Sequence, residues 1–123
     1  MINKPAGPTT PVYKILPASD WQEALICGSY QGSPDDRRDG FIHFSTADQL
    51  AGTASKHFRG KEDLLLVAVD RAPLGNALRF EPSRGGDLFP HLYSPLPVSA
   101  ALWTRPLPLG ADGIPLLPKE LEP

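Results

Sequence analysis

Asp39-Gly40-Phe41-Ile42-His43-Phe44-Ser45-Thr46 is the stretch on which the reading of the whole chain depends. Phe41 to Phe44 have the aromatic and β-branched content of a buried strand, and Gly40 can open that strand from a turn. Thr46 and Gln49 then fit the Thr-x-x-Gln capping box that begins a helix. A strand that hands over to a helix leaves backbone N–H groups free to meet a ligand, and here a histidine and two hydroxyls stand beside them. His43, Ser45 and Thr46 are therefore the first candidates for chemistry. By strand alternation His43 faces away from Ile42 and Phe44.

Upstream, Val12 to Leu16 has strand composition and Pro17 ends it, because proline donates nothing to a ladder. Ser19 or Asp20 can cap a helix that runs through Ile26, with Trp21, Leu25 and Cys27 or Ala24 inward and Gly28 as its stop. Gly28 to Arg38 reads as a polar loop holding most of the charge run Asp35-Asp36-Arg37-Arg38-Asp39, either solvated or a lid over the following site. Downstream, a helix is expected from Ala47 to Phe58, closed by Gly60. Asp63 to Asp70 contains Leu-Leu-Leu-Val-Ala-Val, the most deeply buried strand. Ala77 to Glu81 alternates as a half-buried strand, Pro82 to Asp87 loops, and a last strand is expected over Val98 to Thr104.

The chain has 123 residues, 41% of them hydrophobic, which suffices for one core and not for two ordinary domains. Residues 12–105 form the expected domain. Residues 1–11 read as a disordered leader, and residues 106–123, with five prolines, as an extended tail anchored by Leu116 and Leu117. Fourteen acids against twelve bases leave a net charge of -2, which offers no field for nucleic acid or anionic lipid. The single cysteine, Cys27, forms no internal disulfide, the N-terminus lacks a signal-peptide layout, and no apolar run approaches the roughly 20 residues of a membrane span. These features fit a cytoplasmic protein.

Of the three histidines, His57 sits late in a helix, where a cation suits the dipole, and reads as structural. His91 lies in Phe89-Pro90-His91-Leu92-Tyr93, and together with His43 it can form one site if the two strands are neighbours. No metal is expected, since the histidines are isolated and no Cys-x-x-Cys or His-x-x-x-His spacing occurs. A phosphoesterase built on two His-x-Ser/Thr elements matches once, at His43-Phe44-Ser45, and fails at Tyr93. Covalent catalysis by Ser45 or Cys27 lacks a glycine elbow. Arg79 and Glu81 share one strand face, either as an exposed ion pair or with the carboxylate orienting a hydroxyl or acting as a base.

Tyr13-Lys14-Ile15, Trp21, Gly28, the stretch Asp39 to Thr46, Gln49-Leu50, Asp63-Leu64, Glu81 and Phe89 to Tyr93 together resemble the bacterial domain-of-unknown-function family 952 over roughly residues 12–104. The resemblance implies an α+β fold of ADP-ribosyltransferase type, a small, bent, split sheet, mixed or antiparallel, with two or three flanking helices. In active transferases of that fold the cleft holds NAD, and Gly40, His43, Ser45 and Thr46 take the place beside the nicotinamide. Lys14 stands where those enzymes carry a ribose-holding histidine or arginine. Their late-strand catalytic glutamate has no counterpart in Val98 to Thr104, and Glu81 lies on an earlier segment. The implied site has His43, Glu81 and His91 as catalytic candidates. Lys14, Gly40, Ser45, Thr46, Arg79, Phe89 and Tyr93 are its ligand contacts, and NAD or a related phosphorylated small molecule is the ligand. A non-catalytic binding module and a nucleotide phosphoesterase are the alternatives.

Overall fold

The computed structural model describes residues 10–121, so the expected leader, apart from Thr10 and Pro11, and the last two residues of the tail lie outside the described residues. Strand β1 (Val12–Pro17) is buried on both faces up to Leu16. It pairs antiparallel with β4 (Leu64–Val69), from Val12 opposite Val69 to Pro17 opposite Leu64. The other edge of β4 carries β8 (Ala101–Leu107), also antiparallel. The uninterrupted apolar run of β4 follows from this central place. Val67 and Val69 enter one core cluster with Val12, Leu16 and Trp21, while Leu64, Leu66 and Ala68 enter another with Ile15, Leu50 and Ala54. Both faces of the strand are covered, so no polar residue alternates with the apolar ones.

A second sheet has the order β3 (Ile42–His43), β6 (Leu88–Leu92), β5 (Leu78–Pro82), and a third is the short pair β2 (Ser29–Tyr30) and β7 (Leu96–Pro97). Every pairing among the described residues is antiparallel. The first two sheets touch where Tyr13 and Ser45 exchange two backbone hydrogen bonds, of 2.8 and 2.9 Å. Residues of both sheets, together with the bridging Tyr13 and Ser45, line the cleft described below. The architecture is α+β, with antiparallel sheets and few helices. No helix among the described residues is long and apolar enough to cross a membrane.

Several local expectations are corrected. Helix α1 (Ala18–Cys27) starts directly after Pro17 without a side-chain cap. It buries Trp21 and Ala24, and leaves Leu25 and Cys27 exposed. Residues 28–38 are not one loop. They hold β2 and most of a helix, α2 (Pro34–Asp39), whose Ser33-Pro34-Asp35-Asp36 start forms a capping box with proline in the first turn. Gly40, in the left-handed region at φ 87°, is the C-cap of α2, so it ends a helix where it was expected to open a strand. Thr46 N–H does donate to Gln49 Oε1 at 3.0 Å, and a 3-10 turn (Ala47–Gln49) leads into α3 (Leu50–His57). The last strand begins at Ala101 rather than Val98, because a 3-10 turn (Val98–Ala100) follows Pro97. Beyond it the chain folds back: Leu109 bridges Pro115, Leu117 and Leu121 pack on the second core cluster, and Leu116 points out.

Candidate functional site

The cleft between the sheets has a volume of about 490 Å3. Its floor is organised by Asp36, which sequence reasoning assigned to a solvated charge run and which is 2% exposed. Four donors converge on this carboxylate. Oδ2 accepts from Lys14 Nζ and from the Ser33 N–H, both at 2.9 Å. Oδ1 accepts from the His43 N–H at 3.1 Å and lies 2.6 Å from His43 Nδ1. Burial by itself would raise the Asp36 pKa, but the His43 hydrogen bond, the Lys14 charge and the Ser33 N–H outweigh it and hold the carboxyl far below its usual range. Lys14 has this carboxylate as its near partner and is buried all round, so desolvation draws its pKa below the ordinary lysine value. The pair is asymmetric: the anion is over-supplied with donors, and the cation is short of acceptors.

Helix α2 exists to deliver Asp36. Its capping box fixes the Ser33 end, and Gly40 turns the chain so that β3 returns alongside and presents His43 to the same carboxylate. His43 Nε2 lies 3.0 Å from Asp39 Oδ2, so each ring nitrogen faces a carboxylate oxygen. Only the doubly protonated ring donates to both. The approach to α2 is tight at Gly32, where φ is +105° and a Cβ would lie 2.9 Å from Asp36 Cβ. Gly32→Ala is expected to lower stability by about 1–2 kcal/mol through backbone strain and displacement of Asp36. An unchanged thermal midpoint for that variant would refute the close packing of α2 on the site.

On the opposite wall the register of the second sheet sets Arg79 opposite His91, and His91 opposite His43, in one row across three strands. The two histidines are thus neighbours on one face, with ring centroids 5.6 Å apart, while Ile42 and Leu92 fill the core behind them. Phe41 stacks on His91 at 4.0 Å and also contacts His43 and Tyr93. Glu81 Oε1 accepts from Tyr93 Oη at 2.7 Å and lies 2.8 Å from His91 Nδ1. Those two hydrogen bonds, Tyr93 first, lower the Glu81 pKa. Arg79 lies over the Tyr93 ring at 4.8 Å. Buried His91 Nε2 has no hydrogen-bond partner among the described residues, and the same is true of Tyr30 Oη.

Of the residues singled out in the sequence, Lys14, His43, Ser45, Phe89 and His91 line the cleft. Gly40, Thr46, Arg79, Glu81 and Tyr93 lie off it. Ser45 Oγ is 2.8 Å from Thr53 Oγ1, and Thr46 Oγ1 donates to Asp48, so both hydroxyls have protein partners. Phe89 is buried and Glu81 grips two neighbouring side chains. No group of three or more metal-ligating side chains occurs among the described residues. Sequence reasoning missed Asp36, Asp39 and Phe41. For Asp36 a signal existed, the Ser-Pro-Asp-Asp helix start.

The profile of the family described as "Protein of unknown function (DUF952)" matches residues 15–104. The crystal structure of protein CC0527 from Caulobacter crescentus is similar at 48% identity and a TM-score of 0.88, over 91% of this chain and 98% of that one. The solution NMR structure of CC0527 is similar at 48% identity and a TM-score of 0.79, over 87% and 92%. No curated protein matches. The profile match spans well over half of the sequence and the Caulobacter protein matches nearly end to end, so the chain belongs to the DUF952 family.

Proposed function

We propose that the cleft is a nucleotide site in a cytoplasmic protein of ADP-ribosyltransferase-like architecture, taking NAD or a related ADP-ribosyl or phosphorylated small molecule. The observation that carries this reading is the buried Lys14–Asp36 ion pair, with half-buried His43 on the same carboxylate, in the wall of a cleft of about 490 Å3. Buried ionic clusters rarely repay their desolvation as stability, and strongly displaced pKa values in a cleft mark functional sites. The volume falls within the roughly 300–1,000 Å3 of small-molecule pockets. Two separate sheets joined at the Tyr13–Ser45 bridge support the split-sheet reading. Phe89 supplies an aromatic ring on the lining, and exposed Lys61 supplies a cation there. In a catalytic version of this site, a nucleophile of the acceptor bonds to the ribosyl carbon as that carbon's bond to nicotinamide breaks, and nicotinamide leaves as a neutral base.

Titration of isotope-labelled protein with NAD, then ADP-ribose, is expected to give saturable NMR shifts at His43 to Thr46 and at Pro90 to Tyr93. His43→Ala is expected to weaken NAD at least tenfold and to cost about 1–2 kcal/mol of stability, because Asp36 loses its ring partner. Absence of any shift at millimolar NAD would sink the nucleotide reading. One observation favours a second reading, a non-catalytic module: both His43 ring nitrogens already have carboxylate partners. On that reading His43→Ala lowers stability and leaves NAD affinity where it was.

A further inference from the structure

We propose that His91 Nε2 is a hydrogen-bond acceptor for a sugar hydroxyl, so that the cleft recognises the ribosyl part of its ligand and leaves phosphate outside. The proposal rests on the nucleotide reading of the same cleft and specifies which part of that ligand class it takes.

The argument begins with the proton on the ring. Glu81 Oε1 lies 2.8 Å from His91 Nδ1, and an ionised carboxylate only accepts, so Nδ1 carries the hydrogen. Tyr93 donates to the same oxygen at 2.7 Å and holds the carboxylate in place. The lowered Glu81 pKa agrees with an ionised, hydrogen-bonded group. In the neutral ring Nε2 then keeps its lone pair. Phe41, stacked at 4.0 Å and 24°, resists rotation of the ring out of this arrangement. His91 is 4% exposed and contributes to the cleft wall, and its Nε2, buried from solvent and without a partner among the described residues, is reached by a donor once a neighbouring side chain moves aside. A buried acceptor left unpaired is unfavourable, and the cost is recovered when a donor arrives.

The chemistry of that donor is restricted. A phosphate oxygen offers mainly lone pairs at neutral pH and would face another lone pair at Nε2. The cations of the lining offer it little compensation: Lys14 is held by Asp36, Arg38 by Asp35 and Asp39, and Lys61, exposed, lies over the Phe58 ring. A sugar hydroxyl donates to Nε2 and needs no free cation. Glu81 is a positioning residue in this scheme, since it acts through the ring and lies off the cleft.

The test combines a ring-tautomer measurement with a ligand series. Long-range 15N–1H spectra of the free protein at neutral pH should show His91 Nε2 unprotonated and Nδ1 protonated. Adenosine should then shift the His91 resonances saturably, 2′,3′-dideoxyadenosine should bind at least tenfold more weakly, and inorganic phosphate should not compete. Because the Glu81 side chain is partly exposed, Glu81→Ala should fold, move proton density to Nε2 and weaken adenosine about tenfold. A protonated Nε2 in the free protein, equal affinity for the dideoxy analogue, displacement of adenosine by phosphate, or a Glu81→Ala variant with unchanged tautomer and affinity each overturns the proposal. If NAD still binds in those cases, the nucleotide reading stands. If neither NAD nor adenosine produces a shift, both fall.

Discussion

Asp36→Ala is expected to remove about 3–5 kcal/mol of folding stability, the size of effect seen when one partner of a buried ion pair is deleted. Three losses combine. The Lys14 ammonium, buried beneath the cleft, loses its near carboxylate partner; the His43 N–H and ring lose their shared acceptor; and the Ser33 N–H loses the carboxylate that closes the capping box of α2. A domain of this size holds roughly 5–15 kcal/mol in total, so the variant should be partly unfolded at physiological temperature. Urea unfolding followed by circular dichroism gives the difference from the midpoints at unchanged slope. Lys14→Met in the Asp36→Ala background should recover a sizeable part of the loss, because it removes the stranded charge. A single variant with a midpoint indistinguishable from the parent would show that Asp36 is not the hub of the floor.

The dependence on Asp36 also explains which parts of this protein were legible in its sequence. Patterns that depend on a residue's own neighbours came through: the apolar run of β4, the Thr46–Gln49 capping box, and the alternation that sets His43 opposite to Ile42. The adjacency of His43 and His91 was inferable only as a possibility of two short strands, and the register of β3 on β6 realises it. Asp36 was hidden for a physical reason. Helix α2 has six residues and no apolar face, so its periodicity is invisible, and its charges look solvated until Lys14, 22 residues earlier, is brought onto them. Lys14 itself sits in a strand buried on both faces, where alternation carries no information about which side is polar. On α1, Leu25 was assigned inward by hydrophobicity, yet Trp21 and Ala24 already fill the contact with the core and Leu25 is 51% exposed. Similarly, composition could not separate Leu116 from Leu117 in the tail, because which of two adjacent leucines packs is decided by the turn closed between Leu109 and Pro115.

Acid should unfold this protein through Asp36 in particular. The sign follows from where each state binds protons. In the unfolded chain this carboxyl takes up a proton near the ordinary aspartate value of about 3.9, whereas in the folded protein the His43 and Lys14 donors and the Ser33 N–H keep it ionised well below that, despite burial. Between the two values the unfolded state binds the extra proton, so lowering the pH favours unfolding there; above pH 5 the contribution is complete and flat. Stability from urea midpoints is expected to hold between pH 7 and 5 and then to fall by an amount of the order of 2–3 kcal/mol as the pH drops from about 4 through the folded-state value. Asp39 and Glu81 also have lowered pKa values, but their side chains are partly solvated and contribute less. Asp36→Asn separates them: it should be less stable at pH 7 and should lose most of the acid slope, so that the two curves converge toward pH 2. Parallel curves for parent and variant would instead assign the acid sensitivity to the surface carboxylates. In that event the buried Lys14–Asp36 pair would not be the electrostatic centre of the cleft.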